Sequence, residues 1–172
     1  MALGFWMNNK NCYGCKTCSI ACKSEKQLDQ GVLLRHVTEI KQDDPRALSF
    51  LSLSCNHCDD PACVAGCPTG AMFKSDDGTV QHVDDCCVVC RNCMITCPYG
   101  APQFDEDGRN PVCVDACPMR AIEFGDVDEL RAKHGDAVSE LPVLPSAATT
   151  QPNLLLHASP EAQRSDFNEV VL

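Results

Sequence analysis

Cysteine is the residue type whose number and spacing in this sequence most clearly indicate chemistry. The 172-residue chain holds 15 cysteines, and all but Cys86 fall into four spaced blocks. The first block reads C-x2-C-x2-C-x3-C, the second C-x2-C-x4-C-x3-C-P, the third C-x2-C-x2-C-x3-C-P, and the fourth is shortened to C-x3-C-P. In chain order the blocks are Cys12, Cys15, Cys18 and Cys22; Cys55, Cys58, Cys63 and Cys67; Cys87, Cys90, Cys93 and Cys97; and Cys113 and Cys117.

Thiolates at these intervals are suited to binding iron–sulfur clusters. In bacterial two-cluster ferredoxins, three cysteines of such a run hold one [4Fe–4S] cube and the fourth ligates the other cube. Three thiolates on a tight loop can converge on one cube, while the fourth begins a helix, points away, and is followed by a proline that helps to set this geometry. Zinc sites favour closed C-x2-4-C pairs, which fit the C-x3-C-P endings less well. The blocks therefore predict [4Fe–4S] clusters rather than zinc or a disulfide framework.

The composition limits the classes of protein to which this chain can belong. The formal net charge is −10 and 5% of the residues are aromatic. Nucleic-acid binders carry basic patches, so the charge argues against that class. A short chain with few aromatic side chains builds only a small apolar core, and clusters can serve as additional core and cross-link. The sequence shows no nucleophile–base set, phosphate loop or open metal site, so we do not expect the chain to be an enzyme in its own right.

The cysteines and the N-terminus bear on the compartment. Clusters are loaded where thiols stay reduced, so we expect assembly in the cytoplasm. The first residues, MALGFWMNNKNC, show neither the basic region nor the long apolar stretch of a secretory signal, and the sequence has no twin-arginine pair. Its apolar runs are far shorter than the ~20 residues that span a bilayer. We therefore expect any association with a membrane, or any export, to depend on a partner.

Short elements are predicted between the cysteine loops. Extended or strand-like segments are expected at 2–11, 31–40, 48–53, 71–74, 79–83 and 121–124, and helices at 20–26 and 128–134. Ser75-Asp76-Asp77-Gly78 predicts a hairpin turn between two of the strands. Four prolines interrupt the sequence after Gly135 and periodicity is lost. Residues 135–172 are therefore expected to form an extended tail that packs on a partner or on the protein's own surface.

An internal repeat predicts the architecture. A Cys-Pro step followed by a small residue and an apolar strand occurs at Cys67-Pro68 and again at Cys117-Pro118. This repeat predicts an α+β fold of two ferredoxin-like [4Fe–4S] modules with pseudo-two-fold symmetry, short strands and helices, and an extended C-terminal tail. The double ferredoxin-like domain is expected over 1–134, with an inner module at about 52–105 and an outer module from 1–51 plus 106–134.

The sequence resembles the iron–sulfur electron-transfer subunit of the dimethyl sulfoxide reductase family of molybdopterin oxidoreductases. The resemblance covers nearly the whole chain and is carried by the first block and by residues 54–63, 67–72, 90–93, 97–103, 117–125, 128–135 and 151–154. It implies a non-catalytic relay of single electrons between a quinol-linked membrane anchor subunit and a molybdopterin catalytic subunit, without a membrane span of its own. It also implies membrane association through these partners, with any export in company with the catalytic subunit. The alternative is a soluble polyferredoxin that shuttles electrons between enzymes.

The resemblance also implies a crossed set of ligands. The first cube would be held by Cys12, Cys15, Cys18 and Cys117, the second by Cys55, Cys58, Cys63 and Cys97, and the third by Cys87, Cys90, Cys93 and Cys67. A fourth cube would use Cys22 and Cys113 with two cysteines that this sequence lacks, because the family's further C-x-x-C is absent and no cysteine occurs between Cys97 and Cys113. Either a short segment is missing here, or the chain carries three complete cubes.

Three other features could suggest a functional site, but each has a simpler structural explanation. Cys86 is out of register with its block and is expected to be a small buried thiol. His57 lies in a loop that already has its cysteines, so a structural or partner-facing role is expected instead of iron ligation. Neighbouring acids such as Asp59 and Asp60 are expected to be solvated rather than to form a hard-metal site.

Overall fold

The computed structural model of the protein describes residues 2–28, 30–44, 47–100 and 112–171. The strands are β1 (Leu3–Asn8), β2 (His36–Gln42), β3 (Leu48–Leu53), β4 (Met72–Lys74), β5 (Val80–His82), β6 (Ile122–Asp126), β7 (Leu154–His157) and β8 (Phe167–Val171). The helices are α1 (Thr17–Glu25), α2 (Ala62–Ala65), α3 (Asn92–Thr96), α4 (Val112–Asp115) and α5 (Val127–Lys133), with 3₁₀ turns at Asp84–Cys86 and Ala147–Thr149. Short strands and short helices thus make a mixed α/β fold.

The first sheet joins distant parts of the chain in the order β6-β1-β7. β1 runs antiparallel to β6, with Phe5 opposite Phe124, and parallel to β7, with Phe5 also opposite Leu154. The two phenylalanine rings lie 4.8 Å apart between centroids. Helix α5 follows β6 directly because the Asp126 side chain accepts hydrogen bonds from the backbone N–H groups of Asp128 and Glu129 and so caps its first turn.

Two further sheets contain the strands that precede or follow the second and third cysteine loops. One has the order β3-β2-β8 and is antiparallel throughout. The other is the β4-β5 hairpin, whose turn places Gly78 at φ +83° while the Asp77 carboxylate accepts from the Thr79 N–H. A positive φ costs glycine little, which is why an Asp-Gly pair indicates such a turn. The hairpin predicted from Ser75–Gly78 is confirmed.

The main apolar cluster is built around cysteines as well as aliphatic side chains. Its most deeply buried members include Met7, Ile40, Leu51 and Leu156, and the same cluster contains Cys18, Cys113 and Cys117. A smaller cluster under the hairpin packs Cys63 with Met72 and Val80. Four of the block thiols, Cys18, Cys63, Cys113 and Cys117, therefore lie where the chain's limited apolar surface is buried.

Residues 135–171 contribute to the interior rather than only covering it. β7 lies beside β1, and Leu154, Leu155 and Leu156 are 2%, 1% and 0% exposed. Leu154 and Leu156 join the main cluster while Leu155 packs with Trp6 and Leu130 on the other face. The prolines around this short run concealed a strand that is covered on both faces, so the structure differs here from the extended tail that we predicted.

Most other element predictions are confirmed, with two shifted starts. α1 begins at Thr17 instead of residue 20, immediately after Lys16, which has a left-handed φ of +59°. β2 begins at His36 instead of residue 31, because Gly31 has φ +85° and belongs to a turn. Within the described ranges, no helix has both the length and the apolar character that a membrane crossing requires.

Candidate iron–sulfur centres

Four cysteines from two distant parts of the chain line one cavity. Cys12 and Cys15 lie in the loop before α1, Cys18 lies in its first turn, and Cys117 follows α4. They line a space of about 320 Å³ that includes some open solvent. The pKa of Cys12 is raised, first by burial and further by the charges of Cys18, Cys117 and Cys15. The structure therefore brings together all four members of the first predicted set.

The backbone of the first loop aims these thiols inward. Gly14 has φ +75°, and a Cβ added to it would lie 2.4 Å from ring carbons of Phe50. A residue with a Cβ would be strained at this φ and would clash with Phe50, so the position requires glycine. The Thr17 hydroxyl donates to the Cys15 sulfur at 3.3 Å and lowers the pKa of that thiol, and the Ala121 N–H donates to the Cys117 sulfur at 3.3 Å. Hydrogen bonds donated to sulfur favour a thiolate, the form that binds metal.

The second set combines the second block with a cysteine of the third. The pKa of Cys55 is raised to about 12, first by burial and then by the charges of Cys63, Cys58 and Cys97. Burial likewise raises the pKa of Cys63 to about 11, with Cys97 as the next cause that raises it. Several buried thiolates close together are unfavourable unless cations neutralise them. This donor set fits a metal cluster, because iron can take the place of the thiol protons.

The third set is more exposed. The pKa of Cys93 is raised, first by burial and then by the charges of Cys67 and Cys87. Cys67 has its pKa lowered to about 7, chiefly by the hydrogen bond from the Met72 N–H. Cys90 is exposed in the loop of the third block, which also contains Cys87. Cys67 of the second block thus lies close enough to Cys93 of the third block for its charge to act on that thiol.

The three complete blocks share one backbone feature. The residue immediately before the second cysteine of each block has a positive φ: Gly14 at +75°, His57 at +45° and Val89 at +54°. Lys16 and Arg91, which follow the second cysteine of the first and third blocks, both have φ +59°. Non-glycine residues rarely adopt this conformation, and a β-branched residue such as Val89 does so at a cost. The repeated conformation gives the loops the same local curvature.

The members of the doubtful fourth set lie on neighbouring helices. Cys22 is half-buried on α1, and Cys113 is buried on α4, which packs against α1. Residues 103–111, where the family's additional C-x-x-C was expected, lie outside the described residues. None of the 15 cysteines, all of which are described, forms a disulfide. Among the described side chains, no group of three or more His, Cys, Asp or Glu could hold a single metal ion; in a cube, each thiolate binds a different iron.

His57 has a structural role beside the second set. Its Nδ1 accepts from the Val80 N–H at 3.0 Å, and burial, with the Lys74 charge, lowers the pKa of the ring to about 4. Its backbone carbonyl accepts from Lys74 Nζ at 3.2 Å and from Asn153 Nδ2 at 2.7 Å. The ring therefore stays neutral at physiological pH and fastens the loop to the hairpin, so the structural role predicted for His57 is confirmed.

The structure also tests the predictions made for Asp59 and Cys86. Asp59 pairs with Lys74 at 2.9 Å and accepts from Asn153 at 3.0 Å, which accounts for its carboxylate without a metal. Cys86 is exposed in the 3₁₀ turn Asp84–Cys86, so the prediction of a buried thiol is wrong.

Sequence reasoning missed the side chains that support the loops from elsewhere in the chain. Lys74 and Asn153 both contact the second loop, and Arg35 contacts Ser52 and Ser54 just before Cys55. None of them belongs to a spaced motif. A buried arginine becomes conspicuous only once its surroundings are known.

Comparison with known proteins identifies relatives of this chain. A family model described as a 4Fe-4S dicluster domain matches residues 46–108, which contain the second and third blocks. The chain is 42% identical over 179 positions to the B subunit of anaerobic dimethyl sulfoxide reductase from Escherichia coli (strain K12), covering 89% of this chain and 87% of that protein. It is 41% identical over 189 positions to the protein of the same name from Haemophilus influenzae, covering 94% and 92%.

A third relative extends the similarity beyond one enzyme. The thiosulfate reductase electron transfer subunit PhsB of Salmonella typhi is 32% identical over 144 positions, covering 71% of this chain and 74% of that protein. The alignment with the Escherichia coli protein spans 179 positions but includes 89% of the 172 residues here, so that relative carries residues within the span that this chain lacks. The chain belongs to the family of iron–sulfur electron-transfer subunits that includes the B subunit of dimethyl sulfoxide reductase.

Proposed function

We propose that this chain relays single electrons through [4Fe–4S] cubes between a quinol-linked membrane anchor subunit and a molybdopterin catalytic subunit of the dimethyl sulfoxide reductase type. The observation that carries the proposal is the crossed grouping of thiols, with Cys117 beside the first block and Cys97 beside the second. Because each block contributes to more than one group, neighbouring cubes would be close enough in the fold to exchange electrons.

Three cubes would have complete sets of ligands. The first would be held by Cys12, Cys15, Cys18 and Cys117, the second by Cys55, Cys58, Cys63 and Cys97, and the third by Cys67, Cys87, Cys90 and Cys93. The bound iron would supply reversible one-electron chemistry. The chain's own contribution is to hold the thiolates in place, to donate hydrogen bonds to sulfur from groups such as Thr17 and Ala121, and to exclude water from Cys55 and Cys63. Cys22 and Cys113 would contribute to a fourth cube only with additional ligands.

The two-module organisation is part of the proposal. The inner module would extend over about 52–105 and the outer module over 1–51 plus 106–134, followed by the C-terminal segment. Support comes from the repeated left-handed residues Gly14 and Val89, and Lys16 and Arg91, at equivalent positions of the first and third loops. Each module would have pseudo-two-fold symmetry of its own.

The partners follow from the names of the relatives. Those relatives are called the B subunit of a reductase or an electron transfer subunit, and such names belong to proteins that work within larger enzymes. The protein would be assembled in the cytoplasm, where thiols stay reduced, and would associate with the membrane through its partners. It would not catalyse the terminal reaction.

Affinity capture of the tagged chain from native membranes tests this function. We expect a brown complex containing a large molybdenum protein and an integral membrane subunit, with clusters that quinol reduces. Recovery of a brown monomer with no molybdenum protein would instead support a soluble polyferredoxin, and a colourless protein would exclude both.

A further inference from the structure

Arg35 is a buried arginine that contacts Ser52, which lines the first cysteine cavity, and Ser54, which precedes Cys55. It is 2% exposed. Its Nη1 donates to the Ser52 carbonyl and to Ser52 Oγ, both at 3.2 Å, and its Nη2 donates to Ser54 Oγ at 2.7 Å. The guanidinium carbon lies 4.4 Å from the centroid of the Phe5 ring. These neighbours satisfy part of its hydrogen-bonding capacity.

The charge of Arg35 has no counterpart among these neighbours. Within the described ranges, no carboxylate forms an ion pair with it, and its Nε has no hydrogen-bond partner. Hydroxyl and carbonyl groups, like an aromatic face, offer no net negative charge. An arginine stays protonated in proteins, and a buried charge without a counter-charge is strongly unfavourable. The charge of Arg35 therefore remains to be balanced by a nearby anion.

The contacts of Arg35 lead to both neighbouring cube sites. Ser52 Oγ lies 3.5 Å from the sulfur of Cys18, and Ser52 lines the same cavity as Cys18. Because Ser52 Oγ accepts from Arg35, its hydroxyl hydrogen remains available to donate to the Cys18 thiolate. On the other side, Ser54 immediately precedes Cys55 in the chain. A cube bound by four thiolates is anionic and gains one more negative charge when it is reduced.

We propose that Arg35 is the shared counter-charge of the first and second cubes, and that it acts on the first cube through Ser52. It is a positioning residue that favours the reduced, more negative state of both cubes. Hydrogen bonds and nearby charge set the potentials of iron–sulfur centres, so Arg35 raises the potential of both cubes. The inference rests on the proposed function, because it requires these two cubes.

Redox titration of the intact membrane complex, followed by electron paramagnetic resonance, tests the proposal. In Arg35→Gln we expect the midpoint potentials of the first and second cubes to shift to more negative values, while that of the third cube stays unchanged. Arg35→Lys keeps the charge and should shift them less. Ser52→Ala should shift the first cube alone. Ser49→Ala is the matched control, since Ser49 is buried on the same strand and its hydroxyl has no partner among the described residues.

The possible outcomes are distinguishable. Unchanged potentials in fully loaded Arg35→Gln would overturn the proposal, and so would an equal shift of all three cubes. If the Arg35→Gln variant does not incorporate its cubes, the iron content of Arg35→Lys is compared with that of Arg35→Met. Retention of both cubes only with lysine supports the counter-charge, whereas retention only with methionine overturns it. If neither loads, the selective shift in Ser52→Ala decides. Absence of the cubes from the unsubstituted complex would contradict the proposed function itself.

Discussion

The Asn153 side-chain amide donates to the backbone carbonyl of His57 at 2.7 Å and thereby joins the C-terminal segment to the second cysteine loop. The same amide donates to the Asp59 carboxylate at 3.0 Å, and the Asn153 N–H donates to the Asn56 carbonyl at 3.0 Å. Further backbone hydrogen bonds join Asp59 to Gln151 and Asp60 to Thr150. The loop that would hold the second cube is therefore fastened by residues near the end of the chain.

Asn153→Ala should weaken the second cube selectively. The substitution removes a donor shared by a part-buried carbonyl and a carboxylate. Both acceptors keep Lys74 as a partner, so the expected cost is about 0.5–1.5 kcal/mol. We expect a lower thermal midpoint and faster loss of the second cube in air, measured by iron release and electron paramagnetic resonance. Gln163→Ala, at an exposed position of the same segment, is the control and should behave as the unsubstituted protein. Equal lability of all cubes in Asn153→Ala would argue against a local effect.

Cys97→Ser should damage the second cube rather than the one formed mainly by its own block. Cys97 contributes to the environment of Cys55 and Cys63, whose pKa values burial raises most and the charge of Cys97 raises further. The measurement is the electron paramagnetic resonance spectrum of the reduced variant. Loss of the third signal with retention of the second would refute the crossed assignment.

Iron analysis of the protein made from this sequence should give about twelve irons per chain, at four per cube for three complete sets. Cys22 and Cys113 alone leave two irons of a fourth cube without protein ligands, and no histidine occurs between His82 and His134 to replace them. A reproducible value near sixteen would contradict the three-cube interpretation and require ligands beyond those named here.

Gly14→Ala should destabilise the first cube by more than the cost of a left-handed alanine, because the added Cβ would also clash with Phe50. The new Cβ would lie 2.4 Å from the Phe50 ring at φ +75°. Gly70→Ala is the matched control, because Gly70 has φ +70° but nothing within 4 Å of the added Cβ. The control should lose about 1–2 kcal/mol of stability, the usual cost of a left-handed alanine. Comparable iron content and thermal midpoints for the two variants would show that the Phe50 contact is unimportant.

The features that could be predicted from the sequence are those whose cause is local. The spacing of the cysteines, the Asp77-Gly78 turn and the helix near Asp128 each depend on residues a few positions apart, and short-range geometry decides their structure. The blocks also indicated the cluster chemistry, because thiolates at fixed short intervals have few other uses. The spacing also indicated that the fourth cysteine of a run ligates another cube, but the assignment of Cys97 and Cys117 to particular sets was implied only by resemblance to the family.

The tertiary structure decided the features that join distant residues. β7 is a strand because β1 lies beside it and both of its faces are covered, whereas its own four residues between prolines indicated an extended tail. Cys86 is exposed in the 3₁₀ turn Asp84–Cys86, although cysteine as a residue type favours burial. Arg35 gains its significance from Ser52 and Ser54, which contact it, and from Cys18, which contacts Ser52. Contacts of this kind depend on how separate elements pack, and the spacing of residues along the chain carries no direct record of that packing.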